Sequence, residues 1–312
     1  MNVETAAAYL RKIGLTDFES ITSDKQKNAV DFSTFRNDLL VKVQKALVDQ
    51  IQSELDEYES PCITAYRESC QEPSGFSASS LSSLEEHIKY ARIVYVGDFH
   101  ACSEPKSMLV RILRMTRNPV LAMEDLPGGS SQEICSLLSN QYSSLLRYVD
   151  NNPIPVFGLS KNRKKLNIEE FDSQAMQTIK RLKELYPEST VVVCAGDLHI
   201  LPEHLPATIP CKNVIVHQNL SPAYYHFLNK YGSPRKGTVL RLKDTSNGEQ
   251  YCILTLSPVE INCSYLVQRE ADAFSHDYRK VGEKILRAFL AFMSTDSSAR
   301  IVKKEISTSY LY

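Results

Sequence analysis

The sequence predicts an α/β protein: a central, mostly parallel sheet with helices on both faces, a C-terminal antiparallel hairpin extension and a long N-terminal amphipathic helix. Three observations predict it. Short, continuous, largely β-branched runs recur at RIVYV (92–96), PVLAM (119–123), IPVFG (154–158), TVVVCA (190–195) and NVIVH (213–217). Stretches with helical periodicity separate the first four, and strands that are apolar throughout, alternating with helices, belong to a sheet covered on both sides. TVLRL (238–242) and YCILTL (251–256) flank Asn247-Gly248, a dipeptide suited to a tight hairpin turn.

Taken in chain order, Phe35, Leu39, Val43, Leu47, Ile51, Leu55 and Tyr58 form the one-face stripe of a long helix. Residues 1–60 are accordingly expected to be a helical region packed on a main domain of 61–294. After Pro61, QEPSGFSASSLSS (71–83) reads as a loop ending in Ser82-x-x-Glu85, a capping box that opens a short helix to about Tyr90. Further helices are expected over 103 to about 115, 132 to about 148, and 168 to 186, the last stopped by Pro187. A closing helix over about 271–293 places Phe274, Tyr278, Val281, Ile285 and Phe289 on one face. The tail, 295–312, is expected to fray.

Composition narrows the function classes. In 312 residues, 43% apolar content supplies a sizeable core. Thirty-six Lys and Arg against 37 Asp and Glu leave a formal charge of -1, so no whole-chain basic field recruits nucleic acid or anionic lipid. The eight cysteines include no Cys-x-x-Cys pair and read as reduced, buried small hydrophobes. The first thirty residues carry acids throughout and show neither a secretory pattern nor a lipobox, and no apolar run approaches the roughly 18 residues of a membrane span. A cytoplasmic protein with a small-molecule ligand is the resulting expectation.

Two strand ends carry nearly the same tetrad: Gly97-Asp98-Phe99-His100 after RIVYV, and Gly196-Asp197-Leu198-His199 after TVVVCA. Ligands of open α/β sheets bind outside the carboxyl ends of the strands, so both tetrads fall where chemistry is expected. If the chain stays extended there, residues two apart project to one side, pairing Asp98 with His100 and Asp197 with His199. A third strand end supplies Glu124 and Asp125 after PVLAM. His100, His199 and Glu124 make an N/O set suited to a divalent metal. The same residues also serve without metal, because an Asp-oriented imidazole is already a general base. An Asp at a strand end can instead cap the next helix, and a His there can be a satisfied structural residue. Repetition of the tetrad, with an acidic pair at a third strand end, favours a functional rim.

Other residues are weaker candidates. His217 ends NVIVH and either lines the same rim as a ligand-binding residue or terminates the strand; Gln218 and Asn219 follow it. His204 lies beyond Pro202, outside any i, i+4 metal-helix geometry, and reads as a loop flank. Tyr224 and Tyr225 read as packing aromatics, and Lys161, Arg163, Lys164 and Lys165 as a solvated loop or an anion contact. Gly128-Gly129-Ser130-Ser131 lacks the Lys and spacing of a phosphate loop, and no G-x-S-x-G, H-E-x-x-H or G-x-G-x-x-G occurs.

The motifs VYVGDFH, LAMED, PVFGLSKNRKKLN, VVCAGDLHILPEHLPA, VIVHQNLSPAYYHFL and SPVEINCSYL, in that order over about residues 60 to 290, resemble the ChaN-like haem-binding family. That family is grouped with the Tiki, TraB and erythromycin-esterase-like proteins. The resemblance implies an α/β fold whose rim carries paired G-x-x-H motifs and an acidic residue, matched here by Gly97 to His100, Gly196 to His199 and Glu124. Asp98 stands where the family often has Glu, with a shorter reach and the same charge. The ChaN branch implies haem or another metal-containing ligand at that rim, with a Tyr or His nearby as the axial ligand of a haem; His100, Glu124 and His199 are the candidate metal ligands, and Asp98, Asp125, Asp197 and His217 the candidate residues around the cofactor. The wider superfamily implies instead a metal-dependent or His-based hydrolase.

Overall fold

A computed structural model describes residues 32–55, 75–127, 140–160, 167–209, 211–242 and 248–268. The chain divides into two compact units, and 58–227 with 233–257 make up the larger. The described residues of the smaller are 32–55, 228–232 and 258–268. Residues 258–268, expected in the α/β domain, are thus grouped with the N-terminal helix. The expected closing helix and tail, 132–139, and the basic loop 161–165 lie outside the described residues.

In the smaller unit, helix α1 (Phe32–Leu55) carries the expected stripe: Val43, Leu47 and Ile51 are buried, joined by Leu40 and Val48. It packs against helix α8 (Pro258–Gln268), whose Val259, Ile261 and Cys263 are buried. Asn37 donates to the Asn229 carbonyl oxygen at 3.2 Å.

The described residues of the larger unit contain an eight-stranded sheet in the order β1-β7-β8-β6-β2-β5-β3-β4. Its strands are β1 (Phe76–Ser79), β2 (Ile93–Asp98), β3 (Pro119–Pro127), β4 (Val156–Ser160), β5 (Thr190–Gly196), β6 (Asn213–Gln218), β7 (Thr238–Leu242) and β8 (Glu249–Leu254). The hairpin β7–β8 is antiparallel as expected, and β8 joins β6 in parallel. One expectation is corrected at the edge. Residues 76–79, read as loop, pair antiparallel with β7, because Phe76 and Ala78 face Leu242 and Leu240 and the short segment needs only one partner. The following helix α2 (Leu81–Lys89) is capped by Ser80, whose hydroxyl accepts from the Ser83 backbone N–H at 3.1 Å; the expected cap was Ser82.

Alternation along the central strands divides the core into two layers. Val94, Val96, Val192, Cys194 and Val214 face α2, α3 (Glu104–Met115) and α4 (Ser143–Asn151). Ile93, Tyr95, Val191, Val193 and Ile215 face α5 (Ile168–Leu185) and the one-turn helix α6 (Leu205–Thr208). Both faces are therefore dry, and burial of each such Val, Ile or Leu contributes about 1.5–3 kcal/mol, which explains why these strands show no polar alternation. Helix α7 (Ser221–Tyr231) follows β6.

The β7–β8 turn depends on glycine. Gly248 has φ of 121° and a Cβ there would collide with Asn213 Oδ1 and come within 2.8 Å of the Asn213 carbonyl oxygen. Gly248→Ala is therefore expected to cost about 1–3 kcal/mol, read as a lower midpoint in urea unfolding with an unchanged slope.

Candidate functional site

Register brings the tetrads together. β2 and β5 run parallel with Gly97 opposite Ala195 and Asp98 opposite Gly196, so both tetrads leave the sheet side by side. β3 lies on the other side of β5, with Met123 opposite Cys194, and its register with β4 shifts between Met123 and Pro127. Glu124 stands in that irregular stretch. Its Oε2 accepts from the Gly196 backbone N–H at 2.7 Å, which ties the third strand end to the second.

Both histidines reach this carboxylate. His100 Nε2 lies 3.8 Å from Glu124 Oε2, and His199 Nε2 lies 3.6 Å from Oε1. Glu124 is buried, His199 nearly so, and the His100 side chain is 33% exposed, which puts His100 at the mouth. The separations exceed direct hydrogen-bond length and suit a bridging atom. Gly196 forms the floor: a Cβ there would meet Glu124 Oε2 at 3.5 Å, His199 Cδ2 at 3.8 Å and His100 Nε2 at 3.9 Å.

Each imidazole is oriented from behind by a different carboxylate. His100 Nδ1 donates to Asp98 Oδ2 at 3.1 Å, the expected i, i+2 pair. His199 Nδ1 donates to Asp172 Oδ1 at 2.7 Å, and its ring stacks obliquely on Phe171 with centroids 4.6 Å apart. Since a carboxylate only accepts, each ring carries its proton on Nδ1 and turns the Nε2 lone pair to the rim.

Asp172, rather than Asp197, is thus the partner of His199. The extended geometry that would pair 197 with 199 ends at Gly196: the His199 backbone N–H bonds back to the Gly196 carbonyl in a turn at 2.9 Å. Asp197 is carried to the other side, over Gly97, where a Cβ would collide with its Oδ1. There Oδ1 lies 3.5 Å from His217 Nδ1. His217 is fully buried within β6 and reaches Asp197 rather than the rim. Burial pushes the Asp197 carboxyl above the ordinary carboxylate range; the His217 contact and the Gln218 backbone pull it down, and the nearby Asp98 charge adds to the rise.

The remaining candidates fall into place around this core. His204 Nδ1 is 4.0 Å from Asp172 Oδ2, so this loop residue flanks the second couple. Burial lowers its affinity for a proton, against the opposing pull of Asp172 and Glu203. Tyr224 and Tyr225 pack edge to face at 5.9 Å. The Asp125 side chain lies outside what is described. Gln218 donates to the Gly97 carbonyl at 2.6 Å and pins the first tetrad, and Asn219, at φ of 56°, accepts from the Leu256 backbone N–H at 2.9 Å. Sequence reasoning missed Asp172 and Lys106. Asp172 adjoins Phe171 on the buried stripe of α5, a polar residue at the edge of an apolar face. Lys106 is a cation in the first turn of α3, where the helix dipole disfavours one.

As a metal centre the rim was expected to use His100, Glu124 and His199. Among the described residues no group of three or more His, Cys, Asp or Glu side chains is disposed to hold a metal ion. Glu124 Oε2 accepts a backbone N–H and each imidazole donates its Nδ1–H to a separate carboxylate, which leaves Glu124 Oε1 and the two Nε2 atoms facing the rim. A recess of about 340 Å³ lies at the opposite, amino-terminal edge of the strands, lined by Leu113, Arg114, Pro119, Val120 and Ile154, and contains none of these groups. No described helix is long and apolar enough to cross a membrane.

No family model matches the chain, and no curated protein does. Among solved structures, the type III effector HopBA1 is similar over 56% of this chain and 92% of its own, with 12% identity and a TM-score of 0.37. A likeness at that level carries no argument about function.

Asp197 yields a prediction with a definite sign. A carboxyl raised in the folded state favours folding while protonated; that contribution is full below about pH 4 and is lost as pH rises through the raised folded value. Asp197→Asn cannot ionise, so its melting temperature relative to the parent is expected to improve between pH 4 and pH 8. Parallel curves across that range would contradict the assignment.

Proposed function

We propose that the rim is a hydrolytic acid–base site that acts on an ester or amide without a metal. The observation that carries this reading is the convergence of two carboxylate-oriented imidazoles on the two oxygens of Glu124, over a floor that has no Cβ. A water seated over Gly196 gives a proton to His199 Nε2, and its oxygen attacks the substrate carbonyl carbon. His100, at the mouth, receives that proton on its Nε2 through Glu124 and gives it to the departing alkoxide or amine as the C–O or C–N bond breaks. Glu124 offsets the positive charge on whichever imidazole is protonated and returns the proton from His199 to His100. Asp98 and Asp172 hold the tautomers that this exchange requires.

The resemblance to the ChaN-like family supplies haem as the rival occupant, and the two readings separate in one set of proteins. His100→Ala and His199→Ala are each expected to lower kcat against an ester and amide panel by about 10²–10⁴-fold. Gly196→Ala places a methyl group at ordinary contact distances, so it is expected to abolish turnover while leaving the melting temperature within a few degrees. Treatment with EDTA is expected to change nothing. Turnover retained in Gly196→Ala would sink the proposal, and a Soret shift with hemin that disappears in His100→Ala would transfer the site to the haem reading.

A further inference from the structure

Lys106 is a cation with no exposed side-chain surface, at the third position of α3, where both burial and the helix dipole oppose a positive charge. Its ammonium is 2.8 Å from Asp98 Oδ1, donates to the Phe99 carbonyl oxygen at 2.7 Å, and sits over the Tyr142 ring at 4.8 Å from the centroid. Asp98 spends its other oxygen, Oδ2, on His100 Nδ1. The carboxylate is thus gripped from both sides, and the Phe99 contact fixes the backbone of the residue between Asp98 and His100.

We infer that Lys106 is the positioning residue of the first couple: it holds the Asp98 carboxylate in the one rotamer that keeps the His100 proton on Nδ1 and its Nε2 lone pair toward Glu124. This rests on the reading of His100 as an acid–base group. Three features favour it over a purely structural strut. A buried ion pair is weak evidence for net stability, since an apolar pair of similar volume often serves as well. The ammonium makes its contacts at the tetrad itself, to residue 98 and to the carbonyl of residue 99. The His199 couple has the shorter bond, 2.7 Å, whereas the His100 couple, at 3.1 Å and one-third exposed, is the one that a second hold on its carboxylate serves.

The test reads the histidine directly, so it does not depend on a substrate. In protein labelled with ¹⁵N-histidine, the His100 ring signals, assigned by their loss in His100→Gln, are expected to report the Nδ1–H tautomer at neutral pH. In Lys106→Met they are expected to move toward a mixture of tautomers while the His199 signals stay in place. Where a substrate has been found, kcat is expected to fall on the order of 10–100-fold with KM unchanged. His100 signals that coincide in Lys106→Met and the parent would overturn the inference, whatever happens to the melting temperature. If Lys106→Met does not fold, Tyr142→Leu keeps both charges and removes only the ring beneath the ammonium. It is expected to shift the His100 signals in the same direction by a smaller amount, and unchanged signals there would overturn the inference equally. An absence of turnover in the parent, with the tautomer shift present, would count against the hydrolytic reading and leave the role of Lys106 intact.

Discussion

The bond from the Gly196 backbone N–H to Glu124 Oε2 is the constraint on which the arrangement turns. Parallel pairing of β2, β5 and β3 brings three strand ends to one edge, but a sheet edge alone leaves side chains free to point anywhere. The bond fixes a buried carboxylate at the bottom of a notch and presents an oxygen toward each histidine. It also explains the glycine in chemical terms. Any side chain at 196 would occupy the space between Glu124, His199 and His100, so the same residue supplies the donor and the room.

Around that point the unit separates its carboxylates by environment. Asp98 and Glu124 are buried, the first with an ammonium and an imidazole, the second with a backbone N–H and two imidazoles. Asp197, only a few residues away in the fold, has His217 at 3.5 Å and is pushed toward its neutral form by burial. Cys252, opposite His217 in the β6–β8 register, is likewise driven toward its neutral thiol mainly by burial. The interior behind the rim therefore tends to neutrality, whereas each rim carboxylate is met by donors from its neighbours. Such a division is what lets neighbouring titratable groups play different parts at one pH.

Much of the fold was legible in the sequence, because continuous β-branched runs and the hairpin dipeptide report local physics directly. β1 was not, since its four residues, two of them serine, form an edge strand whose partner β7 is distant in sequence. In the site, His100, His199 and Glu124 were legible as a trio because each closes a strand that could be read. The orienting groups were harder. Asp98 and His100 share a strand end and obey the two-residue rule; Asp172 is the fifth residue of a helix and reaches His199 across 27 positions, which no local rule reports.

The two tetrads also teach that equal letters need not mean equal roles. Both begin with a glycine and place an acid before the histidine by two, yet only the first keeps the pair together. In the second the chain turns at Gly196, because that residue's carbonyl accepts the His199 N–H, and the turn exchanges one carboxylate for another. The outcome is an asymmetric pair of histidines: one at the mouth, held by an acid that is itself held by a lysine, and one recessed against Phe171 with a short bond to Asp172. A symmetric pair would compete for one proton at one affinity. Two imidazoles in unlike surroundings, joined through a shared carboxylate, can hold the proton on one while the other accepts, and that difference is the physical basis for assigning them opposite parts in the proposed reaction.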